Sequence, residues 1–252
     1  MTWEAYRHLA ARAAAAGGRI VRDTEVTGVE LKGRADYVTS VDRAAERAIR
    51  GLLEREAPDV PVVGEEEGGR AADRYWVVDP IDGTVNFIHR FPAVGVSVAL
   101  VEGGRPVAGA VHAPFLAQTW TAARGAGAEK GGKPLRVSGA EPRNAVVGTG
   151  FPFRSKHRLE EYLAVMVPAL RRFEDLRRPG AVALDLAWVA EGVFDGFFEL
   201  GLSAWDVAAG ALLIEEAGGV VTDWSGGEGY LAGDILAGPP EVHAELLALA
   251  RG

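Results

Sequence analysis

The chain has 252 residues, is 48% hydrophobic and 25% charged, and carries a net charge of -8 at pH 7, which is enough length for one large domain or two closely packed ones, each with its own core. The acidic balance argues against a general nucleic-acid binder, because that job depends on basic groups neutralising phosphates, so nucleic acid is an unlikely partner on charge alone. No stretch approaches the ~20 apolar residues of a membrane span, and the absence of cysteine removes disulfides, thiolate metal sites and thiol nucleophiles, leaving any metal to oxygen or imidazole ligands. The N-terminal MTWEAYRHLAARAAAAGG places Glu4, Arg7 and Arg12 where a signal peptide needs an apolar core, so a cytoplasmic location is expected.

In chain order, Trp3 to about Val21 reads as an Ala-rich helix with a break expected at Gly17-Gly18. Asp42 to Glu56 reads as a second helix, with Ala45, Ala48, Ile49, Leu52 and Leu53 at helical spacing and Pro58 as its stop. Two short apolar runs, Val60 to Val63 and Tyr75 to Val78, each end in acids and read as buried strands that deliver carboxylates at their C-terminal ends. From Ala93 to Val137 the pattern is a β-meander turning at Gly103-Gly104. Its apolar residues between Ala93 and Thr121 are a candidate dimer surface.

Around Ala140 to Arg143 the pattern changes. The remainder alternates strands (AVVGTG, FDGFFEL, GGVVTD, GDILAG) with helices near Arg158 to Phe173, Ala181 to Glu191, Trp205 to Ala217 and Pro240 to Ala250. The expected division is an α+β half, residues 1–140, followed by an α/β half, residues 141–252. No linker is long enough to separate them, so the site belongs in a cleft between them.

The stretch WVVDPIDGTVNF, Trp76 to Phe87, carries the chemistry. Pro80 stiffens the exit after Asp79, and Asp82-Gly83 is a turn signal that lets Thr84 begin a helical turn. Asp79 and Asp82 can then share a cavity while backbone N–H groups near Gly83 and Thr84 face an anion. Two carboxylates on one cavity repel unless a divalent cation lies between them, and an anion site beside a metal site points to phosphate. Three further acids suit such a site, and each has a plainer reading. Glu65 in VVGEEEGG is a third metal carboxylate or a solvated turn. Asp42 in DYVTSVD is a chemical group or the acid of a Thr39-x-x-Asp42 capping box. Asp206 in LSAWDVAAG is a ligand or a first-turn helix acid. His89 and His112 read as structural, and Phe194, Phe197 and Phe198 as core.

Taken together, Lys32 with DYVTSVD, GEE, WVVDPIDGTVNFIHRFP, GAVALDLAWVAEGVFDGFFE and WDVAAGALLIEEAGG resemble the motif set of the inositol monophosphatase family of magnesium-dependent, lithium-sensitive sugar phosphatases. GFPFR and ALDLAWVA resemble its bacterial branch. The resemblance implies an α+β fold of layered αβαβα sandwich type and hydrolysis of myo-inositol monophosphate or a related phosphate monoester, using two to three Mg²⁺. It implies a first metal site of Glu65, Asp79, the Ile81 carbonyl and Thr84, and a second of Asp79, Asp82 and Asp206. It also implies water activation by Asp42 and Thr84, assisted by Glu65 and by Lys32 near the metal waters. Gly83 and Thr84 would hold the phosphate. Asp82, Gly180, Ala181, Glu199 and Asp206 would contact the rest of the substrate. Relatives of this kind are usually homodimers.

The sequence departs from the family where substrate is chosen. Ala181 lacks the hydroxyl many relatives place there, and Val182 is bulkier than the usual Ala. A basic loop, Arg154 to Arg158, lies near the expected cleft, and fructose 1,6-bisphosphate would need positive charge for its distal phosphate. Histidinol phosphate is a further alternative. A regulatory protein of this fold binding RNA polymerase or RNA is the alternative from another class, and the complete acid set argues for retained catalysis.

Overall fold

The computed structural model describes residues 1–25, 29–33 and 36–252, with side chains left out for 31–36. Helix α1 (Trp3–Asp23) starts at Thr2, whose hydroxyl accepts from the Ala5 amide at 3.2 Å, and runs unbroken through Gly17 and Gly18. The two glycines are there for contact. A Cβ on Gly17 would lie 2.7 Å from Ile49, and one on Gly18 would lie 2.3 Å from the His112 ring. His112 is thus structural, half-buried and bonded to the Thr119 hydroxyl at 2.8 Å, with burial lowering its pKa.

After a short antiparallel pair, β1 (Glu30–Gly33) and β2 (Asp36–Val38), helix α2 (Ser40–Glu56) buries Val41, Ala45, Ile49 and Leu53 against α1 and the first sheet. That sheet comprises β3 (Val62–Gly64), β4 (Arg74–Asp82), β5 (Gly95–Glu102), β6 (Arg105–Ala113), β7 (Gln118–Ala123), β8 (Gly127–Lys130) and β9 (Lys133–Pro134) in sequential order, with the short helix α3 (Thr84–Ile88) between β4 and β5. Only β3 and β4 are parallel in it. Strand β5 alternates as a strand buried on both faces must: Val96, Val98 and Leu100 join the α1/α2 core, whereas Ala99 and Val101 join the core on the other side. The meander strands therefore expose almost none of their apolar residues. Of the large apolar residues between Ala93 and Thr121, Phe115 and Leu116 are exposed, in the turn before β7.

The second sheet has the order β11-β10-β12-β14-β13. Strands β10 (Val146–Thr149), β11 (Asp175–Arg177) and β12 (Gly196–Glu199) are parallel, β14 (Ile235–Gly238) runs antiparallel to β12, and the edge strand β13 (Val220–Thr222) pairs antiparallel with β14. Helices α5 (Val182–Glu191) and α6 (Ala204–Glu216) lie between the sheets, and α4 (Leu159–Arg172) and α7 (Pro240–Arg251) cover the far face. The result is a five-layer αβαβα sandwich, as the resemblance implies.

The middle layer is thin because its contacts are small. Gly109 of β6 sits under Ala209 of α6, and Gly210 of α6 meets α5, where a Cβ would fall 2.4 Å from Leu186 Cβ. Ala in place of a helix glycine ordinarily stabilises by about 0.5–1 kcal/mol. Here Gly210→Ala is expected to destabilise by about 1–3 kcal/mol, because two backbones must separate. Equilibrium urea unfolding measures this, and an unchanged or raised midpoint would contradict the packing.

Candidate active site

Strand β4 does not end at Asp79, as the sequence reading supposed; it pairs with β5 through Asp82, with a register shift between Asp79 and Asp82. The shift decides where the acids point. Trp76 and Val78 join the α1/α2 core and Val77 the opposite one, so regular alternation would send Asp79 and Asp82 to opposite faces. Instead Ile81 packs with the Trp76 side, and both carboxylates meet Asp206 of α6: one oxygen-bearing ligand atom from each of Asp79, Asp82 and Asp206 lies within 4.8 Å of the others. All three residues are buried.

Each acid is fixed by backbone donors. Asp79 Oδ1 accepts from the Ile81 amide at 3.0 Å. Asp82 Oδ2 accepts from the Ala183 amide at 2.6 Å, so it caps α5 across the two halves. Asp206 Oδ2 accepts from the Ser203 amide at 2.6 Å in a capping box. Asp42 is likewise a capping acid, its Oδ2 accepting from the Thr39 amide at 2.8 Å and from the Thr39 hydroxyl, while its Oδ1 faces the Thr84 hydroxyl at 3.4 Å. The capping reading and the chemical one are thus compatible: one oxygen of each carboxylate serves the helix. Thr84 also donates to the Ile81 carbonyl at 3.1 Å.

These groups open onto a cleft of about 620 Å³ lined by Glu65, Asp79, Ile81, Asp82, Gly83, Thr84, Gly180, Glu199 and Asp206. Asp42 sits buried behind Thr84. Ala181 is fully buried behind the wall, with Gly180 in front. The Lys32 side chain lies outside the described residues. Of the basic loop, Arg154 and Ser155 reach the cleft, whereas Arg158 is engaged by Glu161 and Asp234 at 2.6 Å each.

The electrostatics suit a cation. Burial, then Glu65, Asp82 and Asp206, push Asp79 well above the usual carboxylate range. Asp82 is pushed up to about 7, mainly by burial, against the α5 amides that lower it. Burial and Asp206 raise Glu199 to about 8. A buried set of hard oxygen donors that must otherwise hold protons fits a divalent cation.

Two cleft residues escaped the sequence reading. Asn86, one of only two asparagines in the chain, is buried and donates to the carbonyls of Ala93 at 2.7 Å and Pro179 at 2.9 Å, tying α3 to the segment before α5. A scarce, poor helix former inside the DGTVNF motif was its signal. Arg178 lies on the wall with its guanidinium 5.6 Å from the ring centres of both Phe151 and Phe153. Nothing in the sequence distinguished it from Arg177.

The cluster of Asp79, Asp82 and Asp206 in this cleft could hold a metal ion. The inositol monophosphatase family profile matches residues 3–252, and the chain belongs to that family. It is 44% identical to the Nus factor SuhB of Pseudomonas aeruginosa, covering 95% of this chain and 93% of the relative. It is 39% identical to the fructose-1,6-bisphosphatase/inositol-1-monophosphatase of Aquifex aeolicus, covering 98% and 95%. Among solved structures, an extragenic suppressor protein suhB from Bartonella henselae superposes with a TM-score of 0.92 at 37% identity over 98% of both chains. Inositol monophosphatase from Anabaena gives 0.89 at 32%, covering 98% and 96%. The Nus factor names leave the expectation against nucleic acid without support, since net charge alone carried it. No helix among the described residues is long and apolar enough to cross a membrane.

The raised carboxylates set a pH dependence. The folded chain binds more protons than the unfolded one between about pH 4 and the folded values near 7 and 8, so stability falls as pH rises through that window. Chelator-treated protein is expected to melt at least about 5 °C lower at pH 8.5 than at pH 5.5, with Mg²⁺ restoring more at the higher pH. A melting temperature that rises over that range would contradict the burial of these acids.

Proposed function

We propose that the chain is a Mg²⁺-dependent phosphomonoesterase acting on myo-inositol monophosphate and related sugar-alcohol phosphates. The convergence of Asp79, Asp82 and Asp206 within 4.8 Å at the base of one cleft carries this reading. Glu65, Asp79, the Ile81 carbonyl and Thr84 would hold one cation, and Asp79, Asp82 and Asp206 another, with Asp79 shared. When bound, the cations supply positive charge that makes water a better nucleophile and offsets charge growing on the leaving oxygen.

The remaining work falls to the chain. The amides of Gly83 and Thr84 would orient the phosphoryl oxygens, and Gly83 leaves room for them: its φ of 88° and the Ala93 carbonyl 3.0 Å from any Cβ exclude a side chain there. Asp42 Oδ1, aligned by Thr84, would take the proton from the attacking water. Gly180 and Glu199 would contact the alcohol. The two halves, 1–140 and 141–252, are proposed to supply metal ligands and substrate contacts respectively, with Asp206 crossing over. The chain is also proposed to act as a homodimer.

A second reading rests on Arg178. Its guanidinium, 5.6 Å from the ring centres of Phe151 and Phe153, lines the cleft together with Arg154, and two cations there suit a second anionic group such as the distal phosphate of fructose 1,6-bisphosphate.

Phosphate release from myo-inositol 1-phosphate, fructose 1,6-bisphosphate and histidinol phosphate, with and without Mg²⁺, tests the proposal. Mg²⁺-dependent release from the inositol ester is the expected result; release from none would favour a partner-binding role of the kind the Nus factor names denote. Asp79→Asn is expected to abolish turnover with the fold intact. Asp42→Asn should lower kcat by about 10²-fold or more while Mg²⁺ affinity stays near normal; a defect confined to Mg²⁺ affinity would remove Asp42 from proton transfer. Arg178→Gln should lower kcat/KM for the bisphosphate about tenfold more than for the monophosphate, and equal losses would assign Arg178 to packing.

A further inference from the structure

The turn that carries Glu65 is held from below by an ion pair outside the cleft, between a buried Glu46 and a partly buried Arg50. Glu46 is fully buried in α2, four residues after Asp42 and on the same face. Its Oε2 accepts from the Glu66 amide at 2.7 Å, and its Oε1 accepts from the Glu67 amide at 3.1 Å and from Arg50 Nε at 2.8 Å. Arg50 in turn donates to the Val62 carbonyl at 3.1 Å and to the Gly68 carbonyl, so it clamps both ends of the turn. The carboxylate lies directly against the chain: a Cβ on Gly64 would fall 2.0 Å from Glu46 Oε1. The turn closes on itself through the Gly64 amide and the Gly68 carbonyl at 2.9 Å, and Gly69, at φ 141°, has room for no side chain, because its Cβ would fall 2.2 Å from the Val62 carbonyl.

A carboxylate with no exposure is costly to bury, and one arginine only partly offsets that cost; two further amide donors make the arrangement favourable. A surface turn of three glutamates needs no such support, because Glu65, Glu66 and Glu67 would separate in water. This turn instead keeps Glu65 at the cleft, next to Asp79, despite like charges on both sides. Helix α2 thereby places two groups: Asp42 behind Thr84, and, one helical turn later, the support beneath Glu65.

We propose that Glu46, clamped by Arg50, is a positioning residue that sets the Glu65 turn against the Asp79, Asp82 and Asp206 cluster and so sets the affinity of the site for a divalent cation. The inference rests on the reading of Glu65 as a ligand. Calorimetric titration of Mg²⁺ into chelator-treated protein tests it, using wild type, Glu46→Gln, Glu65→Gln and the double variant, with melting temperature in chelator as a separate record of folding. Glu46→Gln is expected to weaken the tightest site about tenfold, the scale of outer-shell effects on metal affinity. It should weaken it less than twofold when Glu65 is already Gln, because the two act on one ligand. An unchanged affinity in Glu46→Gln, or the same loss in both backgrounds, overturns the inference. Should Glu65→Gln alone leave affinity unchanged, the ligand reading fails first and this inference with it. If Glu46→Gln does not fold, Arg50→Lys, which keeps the charge beside Glu46 but loses the clamp on the two carbonyls, is judged by the same criteria.

Discussion

The repulsion among buried carboxylates at the base of the cleft is the constraint to which the rest of the structure answers. Unit negative charges about 5 Å apart repel by on the order of 3 kcal/mol at the effective dielectric of a protein. The chain opposes this with backbone donors: the Ile81, Ala183 and Ser203 amides each hold one oxygen of Asp79, Asp82 and Asp206. Burial and the neighbouring carboxylates together raise Asp79 and Asp82 above the usual carboxylate range. The cluster therefore suits positive charge, which would relieve that repulsion.

Asp82 has the widest structural reach of the three. It belongs to the first sheet yet caps the helix that opens the middle layer, so one carboxylate joins the halves at the point where the substrate would bind. Asn86 makes a second crossing nearby, from α3 to the Pro179 carbonyl. Both crossings demand that the layers approach closely, and the small residues Gly109, Ala209 and Gly210 permit it. Cleft geometry and core packing are therefore one problem, since widening the α5 and α6 contact would draw the Ala183 amide from Asp82.

Much of this was legible in the sequence. The long helices and the meander follow from periodicity, and the acids of WVVDPIDGTVNF and WDVAAG stood out by their spacing. What was not legible depends on distant partners. Strands β1, β2 and β11 span only three or four residues each, too few for a period to show. Gly17-Gly18 reads as a helix break until Ile49 and His112 are seen to occupy the space a side chain would take. Glu46 looks like a solvated helix acid, although its place among Ala45, Ile49 and Leu53 on the buried side was a usable sign. Arg154 and Arg158 looked alike in one basic loop, and only the Glu161 and Asp234 pairs separate their roles.

By itself, the sequence determined the order of the long helices and the meander and the acids of its motifs, because local periodicity and motif spacing are properties of neighbouring residues, and those motifs carried the family resemblance that implied the five-layer fold. The tertiary structure decided which oxygen of each acid serves a helix cap, which residues stand at the wall rather than behind it, and how Asp79 and Asp82 come to share a cavity. That last point is the clearest. Residues three apart on a regular strand face opposite sides, and a register slip against β5 is needed to turn both toward Asp206. A slip of that kind is set by the partner strand and the cores on either side, so no reading of the β4 residues alone could supply it.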